Sequence, residues 1–314
     1  PRFPKGGVMA VITRVISPEE DGATVRHILR AGLHFSSHAV SRLAHGGDLI
    51  RVNGLCVHTP HILRAGDVLE VETEDRRPPK APVTPGPWPL PVVREDEHLL
   101  IVNKPAGMTA HASNFLPGTP TVAGALAWTR GADFIFHPVS RLDKGTTGLM
   151  AVAKSGYVHD LLRRVLHTQA FRREYRAVCL GCPAPERGTV DAPIGRDESS
   201  AVARRVRPDG AGAVSHYEVL AKGEGVSLLA LRPETGRTHQ LRVHMAYLGC
   251  PLAGDWLYGT EDPGLIPRPA LHSCVLTLAH PVTGEQLEVS APLPEDMQKL
   301  LLERFLPGTE AEIE

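Results

Sequence analysis

Three features of the chain predict an α+β protein, with a mixed, mostly antiparallel central sheet flanked by helices and a small α/β module in front of it. Strand-like runs outnumber helical ones, and they do not alternate with helices in the regular βαβ rhythm of a parallel sheet. A proline-dense stretch at 76–91, RRPPKAPVTPGPWPLP, cuts a compact first segment from a much longer second one. The length, 314 residues, leaves room for both, since a domain takes roughly 100–200 residues.

In the first segment, residues 1–75, Thr24 to Leu33 and Ser37 to Ala44 read as short helices. Leu33, Val40 and Leu43 supply the apolar positions, and Ser36 or Ser37 caps the second helix. Asp48 to Val57 reads as a strand that breaks at Val52-Asn-Gly54, a hairpin signal. The turn Arg64-Ala-Gly-Asp67 leads into a strand from Val68 to Val71. Proline fixes φ and removes N–H donors, so 76–91 is expected to be an extended, semi-rigid linker.

The second segment, 92–306, opens with Val92 to Val102, whose half His98-Leu-Leu-Ile-Val102 suits a buried strand. A Pro/Gly loop follows, Asn103-Lys-Pro-Ala-Gly-Met-Thr-Ala-His111. Thr121 to Trp128 and Ser155 to Leu166 have helical spacing. Gly148 to Ala153, Phe171 to Leu180, Val214 to Leu220, Val226 to Leu231 and Leu271 to Leu278 read as strands, and 307–314 as an acidic tail.

Composition narrows the function classes. Hydrophobic residues at 42% and charged residues at 22% describe an ordinary globular chain. No apolar run is long enough to span a bilayer and the first residues lack a signal-peptide core, so a soluble, cytoplasmic protein is expected. Its five cysteines are odd in number and scattered, which argues against a disulfide framework. Cys179 and Cys182 make a lone Cys-x-x-Cys without a second pair, so a structural role is expected. His239 and His244, or His272 and His280, have the wrong spacing for a metalloprotease helix, and no metal site is expected. The net charge is −1, yet Arg163, Arg164, Arg172, Arg173, Arg176, Arg204, Arg205 and Arg207 concentrate positive charge in the middle of the chain. A phosphate-tracking face can lie inside such a neutral total.

Two clusters carry chemistry. Ser140-Arg-Leu-Asp-Lys-Gly-Thr-Thr-Gly-Leu-Met150 places Asp143 between an arginine and a Gly/Thr turn before a strand. A carboxylate with no partner acid and no triad beside it suggests nucleophilic catalysis. Glu234-Thr-Gly-Arg-Thr-His-Gln-Leu-Arg-Val-His244, continuing to Gly259, offers Arg242 on a helix that starts near Thr238. An arginine there can pair with Asp143 and favour its charged form, as a nucleophile requires.

These two stretches, with Val102 to His111 and Leu271-His-Ser-Cys-Val-Leu-Thr-Leu-Ala-His-Pro281, resemble the diagnostic stretches of the RluA-type pseudouridine synthases, in the right order over roughly Val92 to Pro292. The first segment, through Ser36 to Arg42, Gly47 to Gly54 and Ala65 to Leu69, resembles the small alpha-L RNA-binding domain first named for a small-subunit ribosomal protein. Arg26, Arg30, Arg42 and Arg51 are then its candidate phosphate contacts. The resemblance implies the pseudouridine synthase fold and isomerisation of uridine within RNA: the glycosidic carbon–nitrogen bond breaks and the ribose rejoins carbon 5 of the same base, without cofactor or metal. Asp143 matches the catalytic aspartate, Tyr175 the tyrosine that stacks on the base and is implicated in proton removal, and Arg242 the basic partner of the aspartate. Leu276 matches the apolar residue of the uracil pocket. Lys104, Arg141, Thr147, Arg237 and His239 fall inside the matched stretches as substrate-binding candidates, with His111 a further RNA contact.

The chain departs from the family pattern at Ser140, where His is usual before Arg-Leu-Asp, and at Thr147, where Ser is usual. Rival readings are a catalytically idle RNA-binding or ribosome-assembly factor, and a retaining glycosidase, for which Asp255 or Glu234 would have to supply the second acid. Large-subunit ribosomal RNA is the expected substrate by analogy, transfer RNA the alternative, and a monomer the default state.

Overall fold

The computed structural model describes residues 11–73, 83–112, 118–131 and 133–305. The expected acidic tail and the first half of the expected linker lie outside the described residues. Among the described residues, no helix is long and apolar enough to cross a membrane.

The first module is a four-stranded antiparallel sheet of β1 (Val11–Val15), β2 (Ile50–Val52), β3 (Leu55–Cys56) and β4 (Val68–Glu72), in the order β1-β4-β2-β3. Asn53 and Gly54 both have positive φ at the β2–β3 turn, as an Asn-Gly hairpin requires. The first expected helix is one short α turn, α1 (Val25–His27), continued as a π turn over Ile28–Gly32. In α2 (Ser37–His45), the Ser36 side chain accepts the Ala39 N–H at 3.1 Å and caps the helix. Val25, Leu29, Leu63, Leu69 and Val71 are fully buried between helices and sheet, each contributing about 1.5–3 kcal/mol of transfer free energy.

The large sheet holds β5 (Val92–Glu95), β6 (Leu99–Lys104), β7 (His137–Pro138), β8 (Thr147–Ala153), β9 (Phe171–Leu180) and β10 (Arg187–Asp191). A separate two-stranded ribbon follows, β11 (Ile194–Arg196) with β12 (Arg204–Val206), before β13 (Val214–Lys222), β14 (Val226–Pro233), β15 (Leu271–Ala279) and β16 (Gln286–Ser290). Its order is β10-β13-β14-β9-β15-β8-β6-β5, with β16 added to β15 and β7 to β8. Every pairing between these strands is antiparallel except β8 with β15. The single run expected over 92–102 is divided because the Asp96 carboxylate accepts the His98 and Leu99 N–H groups at 2.8 Å and makes a turn.

Helices α3 (Val122–Arg130), α4 (Gly156–Val165), α5 (Gln240–Tyr247) and α6 (Glu295–Arg304) complete the fold. Thr121 and Ser155 cap α3 and α4, accepting from Gly124 and Val158. The α4 face of Tyr157, Val158 and Leu162 is buried and joins the two modules. Tyr157 stacks on Phe35 with centroids 4.1 Å apart and donates to the Leu33 carbonyl at 2.9 Å. Burial pushes its phenol up to about 12.

Residues 83–91 have no regular structure, as proline dictates. They do not hang free as a tether, however. Trp88 packs into the core under α3, where a Cβ on Gly124 would come within 2.5 Å of its ring, and the Pro91 carbonyl accepts from Asn103 N–H.

Candidate active site

Asp143 sits in the loop between β7 and β8, and three buried groups hold that loop. Lys104, fully buried at the end of β6, donates through Nζ to the carbonyls of Pro105 and Met108 at 2.9 Å and of Lys144 at 3.4 Å. Burial lowers its ammonium to about 7, while Asp143 nearby opposes the fall. Arg268 donates to the Gly145 carbonyl at 3.0 Å and is itself held by Asp296 at 2.6 and 2.7 Å. At the crossing of β8 and β15, Gly148 has φ +109° and a Cβ there would lie 2.3 Å from the Ser273 carbonyl. Only glycine lets the two strands approach this closely. Beside it, the Thr147 hydroxyl meets His272 Nδ1 at 2.8 Å.

On the facing side, His239 takes a left-handed conformation, φ 58°, at the start of α5. Buried Gln240 fixes that start, donating to Val214 O and Ser215 Oγ at 2.9 Å and accepting Arg237 N–H at 2.9 Å. One turn along, Arg242 makes a two-pronged contact with Asp255, Nε to Oδ2 at 2.8 Å and Nη2 to Oδ1 at 2.7 Å. Asp255 is wholly buried and also accepts Leu257 and Tyr258 N–H groups at 3.1 and 3.3 Å. Burial opposes the charge on Arg242, but its hydrogen bonds to Asp255 and the negative charges of Asp255 and Asp143 together outweigh it and hold the guanidinium above its usual range. The ring of Tyr258 lies 4.9 Å from the guanidinium carbon.

Asp143 approaches this assembly without docking on it. Its carboxylate is 3.8 Å from Arg242 Nη1 and 4.0 Å from His239 Nε2, and the side chain stays 30% exposed. The expected Arg242–Asp143 pair is therefore secondary, and the primary counter-ion of Arg242 is Asp255. Tyr258 orients His239. The phenol oxygen accepts Arg204 N–H at 2.9 Å and lies 2.7 Å from His239 Nδ1. If the phenol proton goes to Nδ1, the imidazole proton sits on Nε2, facing Asp143. Burial lowers the His239 pKa and favours this neutral form, with Asp143 working against it.

Tyr175 is 6% exposed on β9, opposite Ser273 of β15. Burial raises its phenol, with the charge of Arg173 opposing, and Asp143 is near enough to add to the rise. So Asp143, Arg242, His239 and Tyr175 come together as the sequence suggested. Arg141 and Arg237 are exposed at the rim, Arg237 donating to Gly212 O at 2.9 Å. Three substrate-binding expectations need correction. Lys104 and Thr147 are turned inward, their polar atoms already engaged by the protein. Leu276 lies beyond the bulge between Ser273 and Val275, and it packs with Phe171, Leu278 and Leu287 instead of the cluster that holds Tyr175. His111 stands edge-on to Phe136, centroids 4.8 Å apart.

Asp255, Tyr258 and Arg268 join the site, although from the sequence Asp255 is weighed only as a glycosidase's second acid and neither Tyr258 nor Arg268 is singled out. The first two belong to the run Gly254-Asp-Trp-Leu-Tyr-Gly259, a visible signal, whereas nothing around Arg268 marks it. Among the described residues, no group of three or more His, Cys, Asp or Glu could hold a metal ion. Two surface hollows of about 320 and 330 Å³, beside Arg14 and beside Arg187, contain none of the site residues.

Comparison with known proteins points in the same direction. The RNA pseudouridylate synthase family profile matches residues 98–247. The Bacillus subtilis protein named "Uncharacterized RNA pseudouridine synthase YjbO" is 40% identical over 271 residues, 86% of this chain and 95% of its own. A Xanthomonas campestris protein named "Ribosomal large subunit pseudouridine synthase D" is 36% identical over 287 residues, 85% of this chain and 84% of its own. The solved structure of "Human RNA Pseudouridylate Synthase Domain Containing 4" superposes with a TM-score of 0.56 at 26% identity, covering 69% of this chain and 95% of that one.

Proposed function

The chain belongs to the RNA pseudouridylate synthase family and is an RNA uridine isomerase, and from that premise we propose that Asp143 is its nucleophile and large-subunit ribosomal RNA its substrate. In the isomerisation the N1–C1′ bond breaks, C1′ bonds to C5 of the same uracil, C5 loses its proton and N1 gains one. The carrying observation is the setting of Asp143: a part-exposed carboxylate faced by Arg242 Nη1 and His239 Nε2 at 3.8 and 4.0 Å. Those separations exceed hydrogen-bond length, so the oxygens keep their lone pairs for an electrophilic carbon. A carboxylate that formed tight ion pairs would be stabilised and dulled as a nucleophile.

A uridine reaches Asp143 only by leaving its stack, which costs a few kcal/mol and calls for an aromatic surface in return. Tyr175 is placed to supply it. Because burial holds its phenol protonated, Tyr175 is a poor base, and we assign it stacking in place of proton removal. The ribosomal assignment rests on relatives named ribosomal large subunit pseudouridine synthase D that match 80% or more of their own length.

The test is release of tritium from [5-³H]uridine-labelled ribosomal and transfer RNA, prepared from cells lacking the protein. The wild-type chain is expected to release tritium from ribosomal RNA, and Asp143→Ala to fall to background. Release by Asp143→Ala at the wild-type rate would remove the nucleophile from the assignment. Release from transfer RNA alone would reassign the substrate.

A further inference from the structure

Four basic side chains are buried around the Asp143 site, and the polar atoms of three of them are engaged. Lys104, lowered by burial to about 7, donates to three carbonyls, Arg242 meets Asp255, and Arg268 meets Asp296. Arg173 is the exception. It is 8% exposed, its hydrogen bond is a long one from Nη2 to Thr235 O at 3.4 Å, and its buried Nε has no partner. Among the described residues no carboxylate lies within ion-pair distance of it. A buried charge left in this condition costs several kcal/mol, so the folded chain alone gives no reason to hold it there.

Its position says what it faces. Arg173 stands two residues before Tyr175 on β9, near enough for its charge to act on the Tyr175 phenol. The neighbour of Arg173 on the solvent side is a glycine: Gly236 is exposed, and a Cβ added there would stand 3.6 Å from Arg173 Nη1. No side chain at that residue bars approach to the guanidinium.

We propose that Arg173 is the docking group for an RNA phosphodiester beside the uridine presented to Asp143, approached over the bare backbone of Gly236. The inference rests on the uridine-isomerase reading. A neutral acceptor such as a uracil carbonyl would satisfy Nε–H but leave the charge uncompensated, whereas a phosphate does both, and the guanidinium fork matches its oxygens. Anchoring the backbone here would also hold the flipped nucleotide against Tyr175.

The experiment compares Asp143→Ala with Asp143→Ala/Arg173→Gln in binding an unmodified large-subunit ribosomal RNA transcript over a series of salt concentrations. Loss of one phosphate contact should flatten the slope of log K against log [salt] by about 0.7–1. An unchanged slope overturns the proposal. In parallel, the melting temperature of Arg173→Met without RNA is expected at or above that of the wild type, since an uncompensated buried charge has been removed. A clear fall would make Arg173 a structural residue and overturn the proposal from the other side. Arg173→Lys, which keeps the charge and loses the fork, should keep the salt slope while tritium release drops about tenfold or more. Tritium release by the wild type separates the two readings. Release with an unchanged slope removes the phosphate subsite alone, and a flattened slope without release removes the isomerase reading alone. Failure to bind the transcript removes both.

Discussion

Arg242 stands between two carboxylates that the fold treats in opposite ways. On one side Asp255 is wholly buried, takes both prongs of the guanidinium at 2.7–2.8 Å and is backed by two main-chain N–H groups. On the other, Asp143 is part-exposed and stops at 3.8 Å. The difference shows a division of labour: Asp255 fixes the charge in place, and Asp143 faces that charge without being consumed by it. A single arginine can thus both belong to the scaffold and shape the field at a reactive group.

Removing either acid should separate these roles. Asp255→Asn leaves Arg242 buried beside a neutral partner and is expected to cost about 3–5 kcal/mol of stability in a denaturant titration. Asp143→Asn, which the proposed role predicts to be inactive, should stay within about 1 kcal/mol of the wild type, because its contacts are long and solvent-facing. Equal losses would break the comparison.

A pH effect of intermediate size belongs to the strand crossing behind Asp143. Burial lowers His272 to about 4, against about 6.5 in an unfolded chain. The unfolded chain therefore binds a proton between those values that the folded chain refuses. Stability is fully present above about pH 6.5 and falls as the pH drops towards 4, by up to about 3 kcal/mol from this group. His272→Asn should flatten that part of the stability profile. A profile with the same slope would mean that the crossing is not what titrates.

The smallest expected effect is at Tyr258→Phe. The ring beneath Arg242 is retained, but the hydrogen bonds to His239 and from Arg204 are lost, worth about 1 kcal/mol in unfolding measurements. Turnover should fall several-fold because His239 can then adopt the other tautomer and no longer present Nε2–H to Asp143. Unaltered turnover would show that the imidazole does not shape the surroundings of Asp143.

Much of this arrangement is visible in the linear chain. The Gly/Thr turn around Asp143, the β9 strand bearing Tyr175 and the Asn-Gly hairpin of the first module are local features, written in neighbouring residues and recognisable by period and turn chemistry. Leu276 was misplaced because one bulge at Ser273–Val275 shifts the register of β15 against β9, and a bulge has no reliable mark in an apolar run. Lys104 and Thr147 are substrate-binding candidates because they fall inside the family-like stretches, and a place in a motif does not say which way a side chain turns. What turns them inward are the loop carbonyls of Pro105, Met108 and Lys144 around the Lys104 ammonium and the imidazole of His272 that β15 brings to Thr147.

The sequence by itself determined which reactive groups exist and which short stretches carry them: one carboxylate in a tight loop, one arginine on a helix, one tyrosine in a strand. Only the tertiary structure decided the partners. Asp255 lies thirteen residues beyond Arg242, a separation that no helix or strand period couples, and Arg173 is unremarkable until its surroundings are seen to lack a counter-charge. Ion pairing and burial depend on distance through space and on exclusion of water. Both arise when the chain closes on itself, so neither can be read along its length.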